Sequence, residues 1–317
     1  KLPSIVGFML VGVVFGPSVL DLVHEELRSD LSFVTEVALA FVALSIGLEL
    51  RLSTLRRQGS AILVVILVES MLAFLVVLGG VYLVTRDLPL ALIFGAIAPA
   101  SAPAGTVAVI QEYRASGSLT RALYSVVGFD DGLAIIIFGF ASAAAGGILS
   151  MQIGGDHGGF LALVQGPILE IVLSILTGFV AAYIYSLLAK RLSSPRDVLI
   201  LTFAIVLITT GLAAAFHMSL ILTNMVLGMV VVNSQPGDLI RRIREQISEV
   251  LPLLFVLFFV LAGANLHLGA LPSLGVVGVV YFAGRVIGLV GGSWIGGTLG
   301  KAEMKIRKYL GMGILSQ

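Results

Sequence analysis

The chain has 317 residues, of which 58% are hydrophobic and 12% charged, and its mean hydropathy is +1.09. Soluble domains carry about 25% charged residues, so this composition excludes one and describes a polytopic membrane protein with room for about ten or eleven spans of roughly 20 residues. A net charge of +1 says nothing about partners, no basic cluster suggests a nucleic acid, and the absence of Cys excludes disulfides, thiolate metal sites and cysteine nucleophiles.

In chain order, apolar runs bounded by charged or Gly/Pro-rich breaks predict spans near 3–22, 31–50, 61–84, 88–110 and 118–142. A second set is predicted near 167–188, 198–216, 218–232, 247–266 and 271–299, and an eleventh begins at about 309. Lys1 directly precedes the first run and residues 311–317 lie inside the last, so both ends are expected to be cut. Alternate loops hold sixteen of the nineteen basic residues, Lys1 among them, against Arg28 and Arg86 on the other side. Positive charge is retained in the cytoplasm, which places Lys1 inside. The glycine-rich stretch 146–166 lacks Lys and Arg and is expected to be a flexible external connection.

Charges inside these runs are costly, by a few kcal/mol each even on lenient scales, and need a reason. Asp130 and Asp131 stand together in the middle of 118–142. The preceding span contains Ala98-Pro99-Ala100-Ser101-Ala102-Pro103. Two prolines four apart remove backbone donors and clash with the preceding turn, so this span is expected to be broken, with Ala100, Ser101, Ala102 and Pro103 lining the break. In lipid such freed backbone groups must meet protein or a watery cavity, and half-helix ends of this kind line ion sites in many transporters. Arg285 lies mid-span in 271–299 and needs a partner; one of the two aspartates is the expected one, and backbone carbonyls at a broken helix are the alternative. Gly284, Gly288, Gly292, Gly296 and Gly300 give that span a small residue at every fourth position, a packing face that lets another helix approach closely. Glu69 is a candidate ion-path carboxylate or a hydrogen-bonded packing residue, whereas Glu49 and Glu112 near span ends read as solvated. The four His residues are scattered over separate loops and span ends, which argues against a metal site.

These residues in this order resemble the monovalent cation:proton antiporter superfamily, the sodium/proton exchangers with adjacent acidic residues in a core helix. Leu2-Pro3 to Gly16-Pro17 is similar to the family's opening LPxxxGxxxxGxxxGP pattern, and Ser45 to Leu50 to its IGLEL span end. Ala100-Ser101-Ala102-Pro103 stands where many relatives have Ala-Thr-Asp-Pro, Asp130-Asp131 where they have Asp-Asp or Asn-Asp, and Gly284-Arg285 at the core cation. The resemblance implies an all-α inverted-repeat fold with two discontinuous helices, the second starting near Leu310. It also implies scaffold spans at 1–60 and 190–270, core spans at 61–142 and 271–317, an external loop and linker helix at 143–189, and a homodimer. The implied setting is a bacterial or archaeal inner membrane.

The expected function is exchange of a monovalent cation, Na+ first and Li+ or K+ otherwise, for H+, without a cofactor and without enzymatic activity. Asp131 is the expected exchange site, with Ser101 and carbonyls of the break as further oxygen ligands, and Asp130 the expected partner of Arg285. Ala102 replaces the acidic residue frequent in relatives, and Arg285 replaces the Lys usual beside two aspartates. A guanidinium keeps its proton, so an electroneutral exchange is expected. Potassium efflux or a channel is the competing reading. A membrane sensor is another, and an intramembrane aspartyl protease is disfavoured because adjacent residues on one helix point about 100° apart.

Overall fold

The apolar runs fold as helices because lipid leaves the backbone no other partner than itself. In the computed structural model, which describes residues 3–53, 60–101, 103–153, 160–192 and 194–315, all regular structure among the described residues is helical. The chain forms α1 (Ser4–Phe15), α2 (Glu25–Asp30), α3 (Ser32–Glu49), α4 (Ser60–Thr85), α5 (Leu88–Ile97), α6 (Pro103–Glu112) and α7 (Ser118–Ile153). It continues through α8 (Phe160–Ala189), α9 (Pro195–Ala215), α10 (Leu220–Ser234), α11 (Gly237–Ala264), α12 (Leu271–Leu299) and α13 (Met304–Ile314). Seven helices among the described residues are long and apolar enough to cross a membrane, and α1, α5 and α10 are shorter apolar helices.

Every expected span meets a helix, with three shifts of boundary. The first span ends at Phe15, because Gly16-Pro17 leads into turns that return amides to the carbonyls of Val14 and Phe15. The stretch 146–166 is not an open loop: α7 runs on to Ile153 and α8 starts at Phe160, carried by the Ala, Ile, Leu and Met residues between the glycines. Only 154–159, including His157, lies outside the described residues of that connection. Finally, α11 starts ten residues before the apolar run, at Gly237. Its first turns bury Ile240, Ile243 and Ile247 while Arg241 and Glu245 stay exposed, an amphipathic pattern that hydropathy averaging hides.

The helices form two compact units. The first comprises Lys1–Leu52, Pro103–Ala115 and Leu173–Ala270. Its helices meet at glycines: a Cβ on Gly12 would collide with the Val260 carbonyl, and one on Gly47 or Gly228 with the backbone of α10 or α3. Phe41 packs on Phe203 with ring centroids 4.5 Å apart and the rings tilted by 52°, and buried hydroxyls pair across helices, Tyr185 with Thr202 at 2.9 Å and Thr209 with Asn224 at 2.8 Å. Glu112 accepts from the Ser4 amide and hydroxyl at 2.9 and 2.8 Å, and Glu49 pairs with Arg244 at 3.3 Å, so both carboxylates are exposed and partnered.

The second unit comprises Ser53–Ala102, Ser116–Val172 and Leu271–Gln317. Its spine is α4 against α12. A Cβ on Gly284 would meet Val77, on Gly288 the Cα of Ala73, on Gly292 the Cα of Glu69, on Gly296 the Cα of Val65 and on Gly300 the Cα of Ala61. As one number rises by four the other falls by four, so the two helices run antiparallel in constant register over five rungs. The every-fourth glycines of the sequence are this seam. At Gly275, φ is 49° and ψ is −138°, which breaks α12 into a kink that a residue with a Cβ would resist.

Candidate ion-binding site

The site is built where the second unit's short helix α5 stops. Ala98 donates its amide to Gly95 at 3.1 Å and Ala100 to Ile97 at 3.2 Å, a last tight turn that Pro99 cannot extend. Pro103 is the first residue of α6, the one helical position where a missing amide costs nothing. The backbone from 98 to 101 is therefore irregular between two helices, as the paired prolines predict.

Two side chains from distant parts of the sequence reach this segment. Ser101, nearly buried, donates its Oγ to Oδ2 of Asp130 at 3.3 Å, and Asp130 on α7 is fully buried. Arg285 on α12 donates Nη2 to the Ala100 carbonyl at 2.7 Å. Adjacent residues of the break thus hold the guanidinium and the carboxylate. The carbonyl of Ala100 lies past the end of α5, where it lacks a helical donor and sits at the negative end of the helix dipole, so a cation is its natural partner. The Ala100 carbonyl is thus one partner of Arg285, the kind that the alternative reading of the sequence names. Arg285 follows Gly284, the rung where α12 lies against Val77 of α4, and from there it reaches the segment after α5. The side chain of Asp131 and the whole of Ala102 lie outside the described residues.

Glu69 is fully buried and accepts from Ser293 Oγ at 2.7 Å. The seam explains the pairing. Gly292 is the rung opposite Glu69, so the next residue of α12 is poised beside that carboxylate. Gly311 of α13 closes over the same place, since a Cβ there would lie 3.1 Å from Ser293 Oγ. Ser293 was not singled out by the sequence; the signal that could have found it is the glycine period, which sets the register of α12 on α4. Glu303 was not singled out either; it accepts from Ser118 Oγ at 2.6 Å and ties the start of α13 to the start of α7. Among the described residues there is no group of three or more His, Asp or Glu arranged to hold a metal ion.

Chemically, the break presents a buried carboxylate, a hydroxyl and loose carbonyls beside a guanidinium held in place. Those are hard oxygen ligands of the kind that Na+ or K+ takes, together with a fixed positive charge that limits how much further charge the site can accept.

The family model described as sodium/hydrogen exchanger, transmembrane, matches residues 1–317. The structure of the sodium proton antiporter MjNhaP1 from Methanocaldococcus jannaschii at pH 8 is similar with a TM-score of 0.74 at 19% identity, covering 100% of this chain and 78% of that one. An electron-microscopy structure of the same antiporter gives a TM-score of 0.76 at 19% identity, covering 98% and 75%. No curated protein matches the chain. At such identity the solved structures speak for the fold, while the family match spans every residue. The chain is a multi-pass membrane transporter of cations against protons, not an enzyme, and it belongs to the family of transmembrane sodium/hydrogen exchangers.

Proposed function

We propose that this protein, as a homodimer, exchanges Na+ for H+ at Asp131, with Asp130, Ser101 and the carbonyls of the break completing the site. The observation that carries the proposal is the buried Ser101–Asp130 contact beside the Ala100 carbonyl that Arg285 holds. At Asp131 one carboxyl releases its proton as one cation binds, and the reverse step returns the proton as the cation leaves. Competition for one group couples the two fluxes without further machinery, and it requires the carboxyl to be deprotonated before the cation can bind. Arg285 keeps its proton throughout and offsets one of the two aspartates. Only one group then changes its occupant, so one proton is exchanged for one Na+ and no net charge moves. Glu69 belongs to the seam in this reading and contributes to the site by holding α12, and with it Arg285, against α4.

The test is exchange in proteoliposomes with the membrane potential clamped at several values. The expected rate is independent of voltage, and Asp131→Asn reduces exchange to background while the variant still purifies as the wild type does. A voltage-dependent rate would overturn the stoichiometry, and exchange retained by Asp131→Asn would remove that residue from the site.

A further inference from the structure

The turn from α12 to α13 concentrates charge that transport does not use. Lys301, Lys305 and Lys308 are all exposed, and none has an acidic partner among the ion pairs of the described residues. The neighbouring groups are committed elsewhere. Arg307 is turned back on the Ala302 carbonyl at 2.7 Å and packs over Gly297, and Glu303 is bonded to Ser118. The turn itself is tight: Lys301 has φ 55°, and the amides of Gly300, Lys301 and Ala302 all return to carbonyls of α12. The three ammonium groups are therefore presented by a constrained backbone, not by a loose loop.

Directly beside them the surface is apolar. Met304 is 71% exposed, Trp294 59% and Tyr309 45%, and the ammonium of Lys308 lies 5.3 Å from the Tyr309 ring. Trp294 follows Val290 by one helical turn, and Val290 is the residue on which Gly311 of α13 rests, so the indole flanks α13. Exposed lysines at the end of a membrane-spanning helix, with Trp, Tyr and Met alongside, reproduce the two layers of a phospholipid: charged headgroup level and the start of the acyl chains.

We infer that the α12–α13 turn is a binding site for an anionic phospholipid, its phosphate held by Lys301, Lys305 and Lys308 and its chains lying over Trp294 and Met304. Charge complementarity selects this occupant. A zwitterionic lipid brings a cation of its own to the three ammonium groups, whereas an anionic one brings a net negative charge. Each lysine meeting an anionic headgroup favours it by roughly fivefold.

Trp294 is the single tryptophan of the chain, which makes the site directly observable. The full chain is reconstituted in vesicles containing phosphatidylglycerol or phosphatidylcholine with brominated acyl chains, and quenching of the indole is measured as the fraction of each lipid is varied. The expected result is a preference of about fivefold or more for brominated phosphatidylglycerol, weakened by high salt. Replacing the three lysines together by Gln brings the preference to about one, replacing them by Arg keeps it, and Arg86→Gln, at the opposite end of α4, leaves it unchanged. Equal quenching by the two lipids in the wild type would overturn the inference. So would a preference that survives the Gln variant, or one that persists undiminished in high salt.

Discussion

Asp130 and Glu69 are both fully buried carboxylates in apolar helices, yet each meets a serine from elsewhere in the chain: Ser101 of the break for Asp130 and Ser293 of α12 for Glu69. A serine hydroxyl can donate to a carboxylate in either protonation state of that group, so these contacts accommodate a carboxyl without fixing its charge. The sequence alone reveals the carboxylates, because charge in an apolar run stands out whatever the fold. Ser101 stands out too, because it lies between the two prolines of the break; Ser293 does not, because a hydroxyl in an apolar run is unremarked until the facing helix is known. The same limit applies to Arg285: its bond to the Ala100 carbonyl depends on a few ångströms of reach that no sequence pattern carries. For Glu69 and Ser293 we expect a double-mutant cycle of Glu69→Gln and Ser293→Ala, read by thermal unfolding in detergent, to show a coupling of about 1 kcal/mol. A coupling indistinguishable from zero would mean that the 2.7 Å contact contributes nothing to stability.

At the scale of elements, the seam of α4 and α12 is the part of the fold most legible beforehand. Five glycines at intervals of four announce a face for close approach, and that face is where α4 lies. What the period cannot announce is the partner, since many helices here are apolar enough to serve; the register became readable only with the pairing. The broken span was legible for a different reason, a chemical one: proline cannot donate an amide wherever it stands. The seam has a sharp consequence for substitution. A Cβ at Gly288 would fall on the Cα of Ala73, which is backbone and cannot turn aside, whereas one at Gly291 would meet only Leu72 Cδ2 at 3.6 Å, an ordinary contact. Gly288→Val is therefore expected to cost about 3 kcal/mol or more and to yield little folded protein. Gly291→Ala is expected to be neutral or to stabilise by up to about 1 kcal/mol through its better helix propensity. Melting curves followed by size-exclusion chromatography distinguish these outcomes, and a well-folded Gly288→Val protein would show that the helices separate at little cost.

Across the whole molecule, each compact unit is assembled from three separate stretches of chain. Hydropathy is a local quantity and carries no trace of such interleaving, so the helical class was accessible from composition while membership of a unit was not. One division falls between Ala102 and Pro103, inside the broken span, so α5 belongs to one unit and α6 to the other. Ala100, Ser101, Asp130 and Arg285 all fall on the same side of that division. If this unit shifts across the membrane during transport, its cargo travels in a coordination shell that need not be dismantled on the way. Discrimination between ions then belongs to the carrier and not to the direction of travel. The ratio of apparent affinities for Na+ and Li+ should be the same when measured from either face of a proteoliposome preparation of uniform orientation. Unequal ratios would mean that the ligands are exchanged in transit, and that the protein chooses its ion differently on entry and on exit.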